Sequence, residues 1–392
     1  MNAPASGPEP RIRFEAVRRW LFDEAWPFWA KNGVDRQHGG FVEHLDLAGR
    51  DAGAPFKRMR SQTRQIFCFA QAALLGWEQG REIALGGWRF LQVHGRRPDG
   101  GWVRRMGRAG GVVDPVVDAY EVAFVLFVHA WMYRLRPDPQ LVTDAATVVD
   151  LLDRQLGRAD GRGWLPEEGC EEPLQQNPHM HLMEAAVELA LATGDVRFAA
   201  LTRRIADLAF AHLIEADTGV LREYFDSAWR PLAGEPGRVV EPGHQLEWVW
   251  LLLRAEPVLG VSPRPVATAL YRSAERCGID SATGLVYDCV DVESRVLSPH
   301  HRLWAQTEAL KASLAMLEQT GLDTRRRIVG CVDNLLDRYL HPARPAGTWI
   351  DHLAADGAPM IDKIPATSLY HLQLAFAELL RLQPLLESYR SG

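Results

Sequence analysis

Cysteine is scarce in this 392-residue chain: Cys68, Cys170, Cys277, Cys289 and Cys331 are odd in number, far apart and free of any Cys-x-x-Cys pair. That pattern excludes a disulfide framework and a thiolate zinc site, and reduced thiols point to the cytoplasm. A strong charge of either sign is also missing. The net charge is −6 and the basic residues are scattered, so the electrostatic footprint of a nucleic-acid binder is not there. No uninterrupted apolar run reaches the about 18 residues of a membrane span. The opening Met1–Pro10 lacks the charged and then apolar stretch of a signal peptide and reads as a disordered tail ahead of one domain over 11–392. Neither is there a glycine-rich loop to cradle a nucleotide. These absences leave a soluble protein with a small neutral or weakly charged ligand, and no nucleic acid or membrane as partner.

What the chain does have is a repeat. A glycine followed by a short apolar run recurs at Gly40, Gly101, Gly163, Gly219, Gly284 and Gly347, roughly 60 residues apart. Such a period means one supersecondary unit stacked on copies of itself, because a single unit cannot bury its own apolar face. Each period holds an amphipathic helix, a glycine turn with a short hairpin, and a nearly wholly apolar helix. The amphipathic class is predicted at about 12–31, 79–95, 140–156, 195–215, 263–277 and 322–340, with charges on one side as in Arg203-Arg204. The second class is predicted to begin near Gln62, Asp118, Asn177, Pro242, Leu303 and Ser368. Runs such as Val122 to Val128 leave it no solvated face, so these helices are buried. Asn177 before Pro178, and Ser368, read as N-caps. Six buried helices inside six amphipathic ones make an all-α (α/α)6 barrel with minor hairpins.

Polar residues inside apolar helices are informative, since an unpaired buried polar group is costly and persists only when paired or used. In the inner helices they sit in the first turns: Arg64; Asp118, Tyr120 and Glu121; Asn177, His179, His181 and Glu184; His244 and Glu247; Trp304, Gln306 and Glu308; Tyr370 and His371. If the inner helices run the same way, all converge at one mouth of the barrel. His181 with Glu184 and His244 with Glu247 are three apart, so each carboxylate shares a face with an imidazole and can orient it or a neighbouring one. Two histidines across a pocket imply proton transfer near neutral pH. Arg64, and tryptophans such as Trp304 and Trp248, suit hydroxyls and the apolar face of a sugar. His179-x-His181 faces two ways on a helix, which argues against a metal pair. Arg64 is equally readable as an ion-pair partner of Glu121 or Glu308, and Lys57, Arg58 and Arg60 as a solvated basic loop or as a reach for a sugar phosphate.

These residues carry a resemblance to the N-acylglucosamine 2-epimerase superfamily, which also holds cellobiose 2-epimerases and aldose–ketose isomerases. It spans about Phe14 to Leu380. Its specific pieces are Asn177-Pro178-His179-Met180-His181-Leu182-Met183-Glu184, Glu241-Pro242-Gly243-His244-Gln245-Leu246-Glu247-Trp248, Trp304-Ala305-Gln306-Thr307-Glu308 and Pro365 to His371. The resemblance implies an (α/α)6 barrel, with His244 and His371 as the acid/base pair. It further implies that Arg64, His181 and Glu247 bind the sugar and that His181 and Glu184 open or position its ring. The form of the Glu241-to-Trp248 piece is most similar to the mannose isomerase branch; Gln245 stands where disaccharide epimerases more often have Asp.

The function expected is interconversion of an unphosphorylated aldose and ketose, D-mannose and D-fructose, through a cis-enediol, by a metal- and cofactor-free monomer or homodimer. His244 and His371 are the expected catalysts. Arg64, Asn177, His181, Glu184, Glu247, Trp304, Gln306, Glu308, Asp118 and Tyr120 are the expected substrate contacts. The alternatives are 2-epimerisation of a free sugar, glycoside hydrolysis by two of Glu121, Glu184, Glu247 and Glu308, and binding without turnover.

Overall fold

The computed structural model describes residues 11–389; the tail expected at 1–10 lies outside them. The inner helices are Met59–Leu74, Ala119–Leu135, Gln176–Thr193, Pro242–Leu259, Leu303–Thr320 and Leu369–Arg381. Each packs on the next, and the sixth packs on the first, so the ring closes. The outer layer is Phe14–Arg19 continuing to Trp26–Asn32, then Gln79–His94, Pro139–Leu156, Val196–Leu208, Arg264–Cys277 and Arg325–Asn334. The first, fourth and sixth outer helices contain a π-helical turn, at Trp20–Ala25, Ala209–Leu213 and Leu335–Leu340. The architecture is an (α/α)6 barrel with small strands.

The two expected helix classes follow from burial. Inner helices such as Ala119–Leu135 bury residues on every side, whereas Pro139–Leu156 buries one stripe of Ala145, Ala146, Val148, Leu151, Leu152 and Leu156 and leaves the opposite side exposed or half-buried. Asp118, Asp138 and Asp195 cap helices through side-chain oxygens that accept backbone N–H groups, each worth about 1 kcal/mol. Two caps read from sequence are corrected. Asn177 lies inside the first turn of a helix that starts at Gln176 and follows Gln175. Ser368 ends a 3-10 turn, Ala366–Ser368, and stands at the N-cap position of the last inner helix, but its hydroxyl donates to Asp351 instead of capping.

Each glycine turn folds the chain back on the end of the outer helix before it. Backbone N–H groups of Val42, Val103, Leu165, Tyr287 and Ile350 donate to carbonyls of Gly33, Gly95, Leu156, Gly278 and Tyr339. Glycine is required where the backbone takes positive φ against a close neighbour. At Gly163, φ is +74° and a Cβ would lie 2.6 Å from the Nε2 of His179; at Gly347, φ is +84° and a Cβ would lie 2.6 Å from the carbonyl oxygen of Glu24. In the second unit Gly100, not Gly101, takes the positive φ. Two- and three-residue strands then pair antiparallel between units, as in Phe56–Arg58 with Arg105–Gly107 and Val239–Val240 with Cys289–Asp291. They form a collar of loops at the end where the inner helices begin.

Candidate active site

Contacts between the starts of the inner helices show that these run side by side in one direction. Arg64 of the first donates to the Tyr120 hydroxyl of the second at 2.8 Å, and His371 of the sixth lies 2.9 Å from Glu308 of the fifth. His181 of the third lies 3.9 Å from Glu247 of the fourth, and the Tyr370 hydroxyl of the sixth donates to Glu184 of the third. Trp304 stands between the two expected catalysts, its ring 4.9 Å from that of His244 and 5.9 Å from that of His371. Arg64, His181, Glu184, His244, Glu247, Trp304, Glu308, His371 and Tyr120 are thus brought together in one polar chamber.

The walls hold the two histidines in opposite ways. His244 Nδ1 is 3.0 Å from Glu223 and 3.8 Å from Glu241. Burial alone pushes the imidazole pKa down, but these carboxylates outweigh it and push it up to about 9. At neutral pH His244 is an imidazolium. His371 Nδ1 is bonded to Glu308, but that carboxylate is also 2.7 Å from the ammonium of Lys311. Burial, assisted by the positive charges of Arg64 and Lys311, holds His371 well below the ordinary histidine range, so it is neutral. Neither Nε2 is hydrogen-bonded to the described residues. The chamber therefore has one protonated and one bare imidazole.

Behind them lies a buried carboxyl layer. Glu184 takes bonds from both His181 and Tyr370. Glu247 is almost inaccessible and one of its oxygens has no partner; burial, with repulsion from Glu308, raises its pKa well above the carboxylate range and favours the protonated acid. Burial pushes His181 down to about 4, against the pull of Glu184. Arg64 is free of the ion pairs considered from sequence, since Glu121 pairs with Arg60 and Glu308 with Lys311. Its guanidinium lies 4.1 Å from the Phe124 ring centroid and 4.8 Å from that of Tyr370, and no carboxylate among the described residues pairs with it.

Other expected contacts do different work. Gln306 donates to the Val286 and Arg302 carbonyls and accepts from the Val286 N–H, so its amide is spent on the fifth hairpin. Asp118 is occupied as the N-cap of the second inner helix. Asn177 is half-buried with an unpartnered Oδ1. His179 accepts from Trp164 N–H and holds the third hairpin, on a different face from His181. Trp248 is wholly buried and donates to Gln176, which makes it core, not a sugar platform. His244 is oriented by Glu223 and Glu241, while the expected Glu247 approaches His181. Lys57 is buried against Asp35, Arg58 pairs with Glu43 and Arg60 with Glu121, so this trio is not a solvated basic loop.

Three functional candidates were missed from sequence. Glu223 sits in the fourth hairpin, where no helical spacing ties it to His244, and nothing local announces it. Glu241 stood just before the fourth inner helix without a role. Lys311 did carry a mark: a charge in the third turn of an apolar helix, three residues after Glu308. Three trios have donor atoms close enough to surround a cation: His181–Glu184–Glu247, Glu223–Glu241–His244 and Glu247–Glu308–His371. In the first two the imidazole Nδ1 already faces the carboxylates, and in the third Lys311 supplies a positive charge.

Comparison with known proteins agrees with the architecture. Residues 39–375 match the N-acylglucosamine 2-epimerase (GlcNAc 2-epimerase) family. The chain is 36% identical over 376 residues to a mannose-6-phosphate isomerase of Rhizobium meliloti (strain 1021), covering 92% of this chain and 95% of the relative. It is 24% identical over 373 residues to a cellobiose 2-epimerase of Bacteroides fragilis, covering 88% and 92%. The crystal structure of a D-mannose isomerase superposes with a TM-score of 0.83 at 21% identity, over 97% of this chain and 100% of that one. The chain belongs to the N-acylglucosamine 2-epimerase family of sugar isomerases and epimerases.

Proposed function

We propose that the protein interconverts an unphosphorylated aldose and its ketose, D-mannose and D-fructose, with His371 and His244 as the proton carriers. The observation that carries this reading is the opposite protonation of the two imidazoles, because groups whose surroundings push their pKa values apart divide into acid and base. In this reading His244 donates to the ring oxygen and takes up the proton of the C1 hydroxyl as the sugar opens, so it is an imidazolium again. His371 Nε2 removes the proton from C2 while the imidazolium of His244 protonates O1, giving a cis-enediol. His244 then takes the proton from O2, and His371 returns its proton to C1. Arg64 faces the enediol oxygens and stabilises charge that develops there. Trp304 packs on the apolar face of the sugar.

The absence of phosphate from the substrate is favoured by the mouth. Arg58, Arg60, Arg104 and Arg302 are paired with Glu43, Glu121, Asp114 and Glu241, and the His244 wall carries two carboxylates. A phosphate dianion would have to displace these partners. This differs from the name of the Rhizobium relative, which acts on a sugar phosphate by that name. The second reading is 2-epimerisation, favoured by the placing of two histidines on different inner helices, which allows a proton to leave one face of C2 and return to the other.

Incubation of the EDTA-treated protein with mannose, glucose, cellobiose and mannose 6-phosphate in heavy water, followed by NMR of the products, tests these readings. Fructose carrying deuterium at C1 is expected from mannose, and mannose 6-phosphate should be the poorer substrate. Glucose as sole product would establish the epimerase instead. Ordinary rates for both His244→Ala and His371→Ala would overturn either.

A further inference from the structure

Lys311 is wholly buried in the third turn of the fifth inner helix, and no step above uses it. A charge taken out of water is costly unless it is closely paired. Here the ammonium lies 2.7 Å from Glu308 Oε2 and 4.3 Å from the Trp250 ring centroid, a cation–π distance. The other oxygen of the same carboxylate, Oε1, is 2.9 Å from His371 Nδ1. One carboxylate thus bridges a buried cation and the imidazole assigned as base.

We propose that Lys311 is a positioning residue: it balances Glu308 as a carboxylate, so that His371 carries its single proton on Nδ1 and presents a bare Nε2 to the sugar. The role of that Nε2 rests on the isomerase reading above; its protonation state does not.

Without Lys311, Glu308 has two courses, and both remove the lone pair. If it stays ionised, its uncompensated charge draws a second proton onto the imidazole. If it becomes protonated, its hydroxyl donates to Nδ1 and the ring proton moves to Nε2. The other groups facing His371 are Arg64 from the first inner helix, His181 and Glu184 from the third, Glu247 from the fourth and Tyr370 beside it on the sixth. Arg64 opposes a second proton, Glu184 favours it, and Glu247 is held as the uncharged acid. Glu308 is the carboxylate in direct contact with the ring, so its balance decides the outcome.

Imidazole ¹⁵N NMR of the full chain, with His371 assigned by its loss in His371→Gln, reads charge and tautomer without substrate. In the parent protein His371 should be neutral with the proton on Nδ1 down to pH ~6. In Lys311→Met the protonation midpoint should rise by about one pH unit or more, or the proton should move to Nε2. Adding Glu308→Gln should restore the parent state, which a purely structural role for the lysine would not predict. If Lys311→Met does not fold, Lys311→Gln keeps a donor for Glu308 without the charge and should give the same shift. Identical His371 spectra with and without the Lys311 substitution, or no restoration by Glu308→Gln, would overturn the proposal. The acid limb of kcat/KM on mannose should move with the NMR midpoint. Spectra that behave as expected in a protein that turns over no sugar would sink the isomerase reading alone.

Discussion

Replacing Glu223 by Gln isolates the charge that makes His244 an acid. Glu223 Oε2 accepts from Gln176 Nε2 at 2.9 Å and lies 3.0 Å from His244 Nδ1, so an amide with its oxygen in that place keeps both of these bonds and loses the charge, giving up besides only the long 3.4 Å bond from the Glu241 N–H to Oε1. An opposite charge this close is worth about 1–3 pKa units. Taking about 1.5 units, the imidazolium loses about 2 kcal/mol of stabilisation and its pKa falls from about 9 to about 7.5. At pH 8.5 the protonated fraction then drops from roughly three quarters to roughly one tenth, an eightfold loss, whereas at pH 6.5 it changes by only about 10%. The assay is kcat/KM for mannose isomerisation from pH 5 to 10. The basic limb should move down by about 1.5 units with the acid limb in place. A uniform loss of rate at every pH, or a basic limb that stays near 9, would refute the assignment of His244 as the group that must be protonated.

The chamber's other wall and its support give further expectations. In Gly243→Ala the new Cβ would lie 2.6 Å from the Trp304 indole, so the ring must shift; KM should rise without movement of either pH limb, as steady-state kinetics would show. His179→Phe leaves the Trp164 N–H unpaired, removes the side-chain bond to the Gln175 carbonyl, and should cost roughly 1–3 kcal/mol of stability in urea unfolding while the surviving enzyme keeps its kcat. Burial holds His129 and His179 down to about 4 in the folded state. Between pH ~6.5 and ~4 the unfolded chain therefore binds protons that the folded chain does not, and stability should fall as pH falls through that window, by up to roughly 3 kcal/mol per imidazole. Chemical denaturation at pH 7, 5.5 and 4.5 checks this. Prolonged EDTA treatment should leave turnover intact; activity restored only by a divalent ion would contradict a purely histidine-based mechanism.

Much of the barrel was legible because both helix classes follow from local composition. A helix without a solvated face, such as the one around Val122 to Val128, has nowhere to go but the interior, and a striped one such as Pro139–Leu156 lies over it. The same logic found His181, His244, Glu308 and His371 as polar breaks in apolar helices. It failed at Gln306, which shares that pattern but meets a hairpin backbone, and the sugar platform expected of Trp248 is instead a core contact with Gln176. A polar break shows that a partner exists, without showing whether the partner is a sugar or a loop.

Local sequence determined that six units close on themselves and that the first turns of six buried helices carry the polar side chains gathered at one end, because periodicity and burial are properties of each segment. The division between a protonated and a neutral imidazole was decided only by tertiary contact. His244 and His371 look alike in sequence, each a histidine in the first turn of an inner helix. One meets the carboxylates of Glu223 and Glu241, and the other meets a carboxylate already balanced by Lys311. A pKa depends on charges within a few ångströms, and Glu223 and Glu308 come from stretches 21 and 63 residues away from the histidines they touch.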